Sequence, residues 1–457
     1  MHPDGVAELA RGAADPRRHA VLAAFCVQNF MQCFCFLDFS TDVPLTKAAL
    51  NTTSDADVGL LYYGGFASTL PAMIASLWLL LRGYEWTAGL GMSLLIVGGA
   101  WLRYVAVSAH SFGLALLSTV MLGMAGGVIF TSFTFLPARW FPEHERAFAT
   151  ALAAQSNYAG WAAGCLGPLL FGSTLEGFQT FMLWQAIVTS IILPIQLLAN
   201  SRGPVSDAPT PQPPSAAAQQ PTAECSAGGS LGLRASLSVL AGRPQYLIHS
   251  TCYAVLGAVG YAVTGVVDEC FSAALGASAF SPQQAMWLNV AFVLTGVLTG
   301  LCAGRVVPPH KYGLAIRSLF ALGTAALLAI QLLLLLVQHV TIHKEQLFGM
   351  LLVLMTLSGA GTLGFINISL RVSVAQCRPV DEIYAGSLIE FALLGIACGL
   401  GLLTYLVPPE FTFCFFAIPA LVATIGIFAC ARFERSHGRG EEGLLEGHVV
   451  IATLPPP

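Results

Sequence analysis

Apolar residues along this chain fall into uninterrupted runs of roughly 20 to 28 residues, parted by short segments where proline, arginine and acidic residues collect. Such runs are too long for buried strands and lack the alternating segments of about ten residues that build a membrane barrel, so they predict membrane-crossing helices. Twelve are drawn, the first over 19–39 and the last over 411–433, six on each side of a polar stretch. That stretch, 199–243, centres on PVSDAPTPQPPSAAAQQPTAECSAGGS, a composition unable to form a core, and predicts a flexible linker. The expected organisation is an N-tail over 1–18, a six-helix half over 19–198, the linker, a second half over 244–433 and a C-tail over 434–457.

The stretch Ala138 to Gly164, ARWFPEHERAFATALAAQSNYAGWAAG, turns a charged loop directly into an apolar helix bearing polar and small residues. Pro142 suits a first helical turn, and Glu143 and Glu145 place negative charge where the helix dipole favours it. The spacing of Pro142 and Glu145 recurs at Pro379 and Glu382, again ahead of a long apolar run. A duplicated arrangement inside a membrane points to a carrier of two pseudo-symmetric halves. Gly123/Gly127, Gly160/Gly164, Gly296/Gly300 and Gly395/Gly399 are expected to let helices approach closely.

Composition excludes a soluble protein: 56% of residues are hydrophobic, 10% are charged and mean hydropathy is +0.72. The net charge of -4 decides nothing. The twelve cysteines are scattered, mostly within apolar runs, and fit neither a disulfide framework nor a zinc spacing; Cys33-x-Cys35 is a weak alternative as a ligand pair. No metal and no cofactor are expected. Phosphate-binding, HExxH and GxSxG motifs are lacking, which argues against an ATP-driven pump or an enzyme, and nothing suggests a nucleic-acid partner. The segment 1–18 is polar and ends in Arg17-Arg18, so no cleavable signal peptide is expected there.

Of the 20 lysines and arginines, three (Lys47, Arg103 and Lys344) fall on one side of the drawn topology and the remaining seventeen on the other. This bias puts both termini in the cytosol. The sequon at Asn51 then lies in the first outer loop, open to glycosylation, whereas the one at Asn367 is inside a span. The membrane is expected to be the plasma membrane or an endolysosomal one; the tail at Glu441-Glu442-Gly443-Leu444-Leu445 loosely resembles an acidic dileucine signal.

Polar residues at membrane depth cost free energy and call for a reason. The first span carries Gln28, Asn29 and Gln32 on neighbouring turns, the fifth Gln155, Asn157, Tyr158 and Trp161, the seventh Tyr261 and the tenth Asn367. They line a solute path or tie helices together. Glu390, about 10 Å into the eleventh span, is a proton-coupling group, a counter-ion for a cationic solute, or a member of an ion pair. Asp38, Asp268 and Glu269 are expected near outer helix ends, where solvation is cheap, and His249 as a hydrogen-bonded core histidine. On the inner face Arg82, Arg139, Glu145, Arg146, Arg305 and Glu382 are expected to form weak ion pairs that close the cytosolic end when the site opens outward.

Twelve spans, a central linker and matched inner loops resemble the major facilitator superfamily. More specifically, Leu70-Pro71-Ala72 with Trp78 and Arg82-Gly83, Gly99-Ala100-Trp101-Leu102-Arg103, Trp140-Phe141 with Glu145, Asn157-x-x-Gly160-x-x-x-Gly164, and Pro379-x-x-Glu382 with Ala385-Gly386 resemble the feline leukaemia virus subgroup C receptor-related transporters. The likeness covers the first six helices and spans ten to eleven. It implies an all-α membrane protein of twelve helices that carries haem, choline, ethanolamine or a vitamin; a monomer is expected. The choline carriers of that family have Asn-x-x-Gln-Trp in the first span, the Trp face holding the quaternary ammonium; here Asn29 and Gln32 match and Cys33 stands in place of the Trp. A thiol offers no comparable cation–π face, so a preference for a solute other than choline is the simpler expectation, with an aromatic cage rebuilt by Tyr158, Trp161 and Tyr261 as the alternative. The expectation is therefore a small-solute carrier working by alternating access, with facilitated diffusion and proton coupling both open, and with Asn29, Gln32, Asn157, Tyr158, Trp161, Tyr261 and Glu390 meeting the solute. An amino-acid carrier of the same superfamily and a non-transporting receptor or sensor on a carrier fold are the rivals.

Overall fold

The computed structural model describes residues 16–172, 174–199, 233–275, 281–340, 342–377 and 380–449, with backbone alone at 143, 144, 168, 169, 282 and from 431 onward. Among these residues there are helices and no strands. Twelve long helices run back and forth: α1 Arg18–Phe34, α2 Asp55–Leu81, α3 Glu85–Ser108, α4 Phe112–Trp140, α5 Glu143–Phe171 and α6 Leu175–Ala199, then α7 Pro244–Thr264, α8 Pro282–Val306, α9 Tyr312–Val337, α10 Lys344–Ala375, α11 Glu382–Thr404 and α12 Thr412–Val449. Ten of them are apolar and long enough to cross a membrane. The other two are α1, only 17 residues long, and α5, the helices in which Gln28, Asn29, Gln32, Gln155 and Asn157 interrupt the apolar sequence.

Local chemistry sets where these helices begin. Ser54, Ser111, Thr174, Ser281 and Asp381 each accept a hydrogen bond from a backbone N–H of the first turn that follows, and Ser281 with Gln284 completes a capping box. Pro142 sits one position earlier than expected: it is the N-cap of α5, with extended backbone, and its carbonyl accepts from Glu145 and Arg146. The matching Pro379 lies outside the described residues, as do 1–15 of the expected N-tail and 200–232 of the linker. The last part of that linker is a helix, Leu233–Ala241, which buries Ser236 and Leu240. The backbone of α12 continues through most of the expected C-tail.

The halves α1–α6 and α7–α12 meet through α2 against α11, α5 against α8, and α4 against α11. We call the end where α1 begins the terminal face and the opposite end the far face. At the far face two tyrosines of α2 reach across the divide. Tyr62 donates to the Tyr261 carbonyl at 3.0 Å and lies 2.9 Å from Thr264 Oγ1, while Tyr63 donates to the Ala262 carbonyl at 2.9 Å. Their rings rest on glycines: a Cβ at Gly265 would fall 2.5 Å from Tyr62, one at Gly401 only 1.9 Å from Tyr63, and one at Gly59 2.0 Å from the Tyr405 hydroxyl. The terminal face is closed as well, by Arg146, Glu382 and the packing of Thr134 on Gly386.

Within the halves, Gly123 and Gly127 pack against the backbone of α2 and Gly160 and Gly164 against that of α1. Gly395 and Gly399 depart from expectation, since a Cβ at either would meet open space, so this pair makes no close helix contact.

Candidate functional site

Seven residues were expected around a solute, and the fold divides them into two groups. Asn29, Gln32 and Asn157 tie the N-terminal half together. The Asn29 amide donates to the Ala153 carbonyl at 2.7 Å and to Ser156 Oγ at 2.9 Å, and its Oδ1 accepts from Asn157 Nδ2 at 2.6 Å. Gln32 donates to the Leu122 carbonyl at 3.0 Å and accepts from the Cys33 thiol. Gln28 faces away from both, toward Ser93 and Gln196. The polar stripe read along α1 thus fans out to four neighbouring helices rather than facing one lumen, because buried amides pair with whatever backbone or side chain each turn offers.

The second group lies between the halves. Tyr158 and Trp161 of α5 meet Tyr261 of α7 edge to face: Trp161–Tyr261 centroids are 4.6 Å apart at 75°, Tyr158–Trp161 5.5 Å at 73° and Tyr158–Tyr261 5.8 Å at 83°. This geometry matches the quadrupole preference of aromatic rings. The two tyrosine hydroxyls are 3.0 Å apart. Phe66 of α2 and Phe130 of α4 extend the cluster, at 5.6 and 6.4 Å from Tyr261. The adjoining cleft lined by Gln32, Cys33, Phe66 and Trp161 is too narrow for a water molecule, so in this closed arrangement the rings occupy the axis themselves.

Glu390 of α11 is 1% exposed and accepts a 2.5 Å hydrogen bond from the Tyr253 hydroxyl of α7. Its carboxylate is within electrostatic reach of Tyr158 and Tyr261. A buried carboxyl with no counter-charge becomes a strong partner for an organic cation once one enters, because the cation supplies the missing charge. Two further atoms at this level have no partner, the Trp161 Nε1 donor and the Asn157 Oδ1 acceptor. A polar group left unpaired in a core is costly unless something else fills the role.

Of the residues expected to gate, Arg146 and Glu382 pair across the halves, at 3.2 Å and about one third exposed, and the Glu382 carbonyl also accepts from Thr134 Oγ1. Arg305 crosses the same boundary differently, its guanidinium 5.8 Å from the Phe148 ring. The others stay within their own half rather than pairing across the inner face as expected of a gate: Glu145 pairs with Arg18, Arg139 with Glu85, and Arg82 stacks on Trp78 at 4.1 Å. Asp38 is corrected too. It is not at a solvated helix end but fully buried, 3.5 Å from Arg103 Nη1, with Gln185 donating to its other oxygen and Phe39 stacked on the guanidinium. Sequence reading missed this pair because 65 residues separate its members. It also missed Tyr253, which only the Glu390 contact picks out. His249 bonds Ser369 at 2.8 Å, in keeping with a core histidine. No group of three or more metal-ligating side chains occurs among the described residues.

No model of a known protein family matches the chain. Among curated proteins it is similar to the solute carrier family 49 member 4 homolog of Xenopus tropicalis, 26% identical over 404 residues that cover 84% of this chain and 81% of that protein. It is also similar to the choline/ethanolamine transporter FLVCR1 of Mus musculus, 28% identical over 159 residues, 35% of this chain and 28% of that protein. Among solved structures, a bacterial homologue of the human lysosomal transporter Spinster, inward-facing and unoccupied, aligns with a TM-score of 0.58 at 15% identity, covering 91% of this chain and 97% of that one. The major facilitator transporter FucP in its outward conformation aligns with a TM-score of 0.57 at 17% identity, covering 90% and 98%. These relatives and neighbours are transporters rather than enzymes. The chain is a multi-pass membrane protein with the major facilitator fold.

Proposed function

We propose that this protein carries a small organic amine, of the size of choline or ethanolamine, across its membrane by alternating access. The observation that carries the reading is the aromatic group of Tyr158, Trp161 and Tyr261, shared between the halves, with the buried Glu390 held by Tyr253 on the same helix as Tyr261. When the halves rock apart, Tyr158 and Trp161 move with one and Tyr261, Tyr253 and Glu390 with the other, so the rings that now fill one another's faces become available to a cation. The ammonium is held by ring faces and by the Glu390 carboxylate, and the unpaired Trp161 Nε1 and Asn157 Oδ1 receive its polar end. Asn29 and Gln32 are placed one layer behind, positioning α5 and α4. Arg146 and Glu382 close the terminal face, and their partly exposed pairing suits a contact that must reopen. The similarity to a choline/ethanolamine transporter supports the substrate class.

The bias of lysine and arginine supports a cytosolic terminal face, in a plasma or endolysosomal membrane. Asn51, exposed at the far face in a left-handed C-cap between helices, is then available for glycosylation. The test is uptake of radiolabelled choline into liposomes holding the purified protein, with ethanolamine, pyridoxine, haem and neutral amino acids as competitors. Saturable choline uptake inhibited by ethanolamine is expected. Uptake no greater than in empty liposomes, or inhibition by amino acids alone, rejects the amine reading.

A further inference from the structure

Two carboxyls are fully enclosed among the membrane-crossing helices, and they are furnished differently. Asp38 has the Arg103 guanidinium as a permanent partner. Glu390 has only the Tyr253 hydroxyl, which donates to its Oε1 at 2.5 Å. The groups that face Glu390 are otherwise the hydroxyls of Tyr261 on α7 and Tyr158 on α5, within electrostatic reach. His249, one turn before Tyr253, is turned instead to Ser369 of α10. Among the described residues no ion pair includes Glu390, and α2, α4, α10 and α12, which also pack against α11, add no ionised side chain within reach.

The molecule closes around this carboxyl. Tyr62 and Tyr63 shut the far face, Arg146 and Glu382 shut the terminal face, and the cleft beside Trp161 is too narrow for a water molecule. An ionised carboxylate sealed there has no counter-charge, and the cost of sealing it exceeds what one hydroxyl hydrogen bond returns. The carrier returning without its amine therefore closes with Glu390 neutral, Oε1 accepting from Tyr253 and the proton on Oε2. A loaded carrier closes for the same reason, the ammonium supplying the counter-charge. Ionised and unaccompanied, Glu390 keeps the site open to water on one side, where its charge is hydrated.

We infer that the protein exchanges its amine for a proton, one for one, at Glu390. On one side of the membrane the carboxyl O–H gives its proton to water as the ammonium takes its place; on the other side a proton from water re-forms the O–H and releases the amine. One positive charge crosses in each direction, so the cycle moves no net charge. This exchange rests on the amine reading above and adds a driving force to it: a proton gradient concentrates the amine, whereas free return of an ionised carrier would only equilibrate it.

The experiment uses the full chain in liposomes and radiolabelled choline, whose quaternary ammonium has no proton of its own to lose. The interior is buffered about one pH unit more acid than the exterior, and the membrane potential is held at zero with potassium and valinomycin. Choline should accumulate up to about tenfold over the outside concentration, and nigericin, which collapses the pH gradient, should release it. The steady level is read rather than the rate, because a pH-sensitive gate alters only how fast that level is reached. Glu390→Gln should lose this accumulation, and its residual uptake should follow an inside-negative potential, since its centre is neutral when empty and charged when loaded. Dicyclohexylcarbodiimide attacks protonated carboxyls in apolar surroundings; it should label Glu390 in the wild type, slowed about tenfold by choline at about ten times its KM. Saturable choline uptake that only equilibrates would overturn the exchange and leave the amine reading standing, whereas no choline uptake rejects both. Proton-driven accumulation kept by Glu390→Gln would overturn the assignment to this carboxyl. Should that variant not fold, carbodiimide labelling indifferent to choline would do the same.

Discussion

The hydroxyls of Tyr158 and Tyr261 lie 3.0 Å apart, one on each half of the bundle, and both rings meet Trp161 in T-shaped contacts. Separating the halves breaks that bond and frees the faces. Tyr261→Ala removes a cation–π surface contributing about 0.5–2 kcal/mol, so KM for choline should rise roughly two- to thirtyfold. Tyr261→Phe keeps the ring and should change KM far less. Equal effects of the two substitutions in liposome uptake would point to the hydroxyl rather than the face.

Glu390 is buried near these rings and accepts a hydrogen bond from Tyr253 at 2.5 Å, and a bound cation would hold it ionised. Removing a charge-assisted contact costs about 1.5–3 kcal/mol, so Glu390→Gln should weaken uptake of a permanently charged amine by roughly ten- to a hundredfold. An uncharged competitor should inhibit the variant as well as the wild type. Competition curves for charged and uncharged ligands on both proteins check this.

The Arg146–Glu382 pair is the charged bridge across the terminal face, and being partly exposed it contributes about 0.2–1 kcal/mol. Glu382→Gln should therefore open that face only modestly, increasing the labelling rate of a cysteine introduced at neighbouring Thr150 by less than about fivefold. Exchanging the charges as Arg146→Glu with Glu382→Arg should bring the rate back.

At the far face Asp268 and Glu269, in the short helix Val267–Leu275 beyond α7, close against the other half. Asp268 accepts from the Val43 N–H at 3.2 Å. Burial pushes the Asp268 carboxyl up to about 6, with Asp42 adding to the rise and the Val43 and Ser272 hydrogen bonds opposing it. Burial pushes Glu269 to about 7, with Asp55 and Asp268 adding and Tyr405 and Lys47 opposing. The closed face thus holds protons more tightly than an open, hydrated one, where both groups return toward ordinary carboxylate values. Acid on that side should stabilise closure as pH falls from about 7 toward the ordinary range, and the gain should be lost as pH rises through about 6 to 7. Glu269→Gln should flatten the upper part of this dependence in a cysteine-accessibility titration.

Asp38 and Arg103 form a pair with no solvent exposure at either side chain. Asp38→Asn or Arg103→Met alone leaves a buried partner without its counter-charge and should cost about 3–5 kcal/mol, read as a large drop in unfolding temperature in detergent. Asp38→Leu combined with Arg103→Met should recover most of it, because the apolar replacement carries no desolvation penalty.

Twelve helices, the duplication and the clustering of Tyr158 with Trp161 were legible because each rests on local spacing: run length for the spans, and one helical turn for the two rings. What escaped was pairing. Gln28, Asn29 and Gln32 read as one stripe, yet a buried amide turns toward the nearest acceptor, and those acceptors come from α3, α6, α5 and α4. Arg103 read as an outer loop cation, although its partner comes from the end of the first span, a relation no periodicity encodes. The charged residues of the inner loops were recognisable as a class, while only the packing of the halves separates Arg146, which crosses between them, from Arg139, which does not.

The rings of Tyr62, Tyr63 and Tyr405 rest where a Cβ on Gly265, Gly401 or Gly59 would stand, within 2.5 Å in each case. Closure there depends on a missing methyl, so the smallest possible side chain acts as a doorstop. Alanine at Gly401 or Gly59 should hold the far mouth ajar without touching any residue of the aromatic cluster, trapping a shape that the wild-type chain visits only in passing.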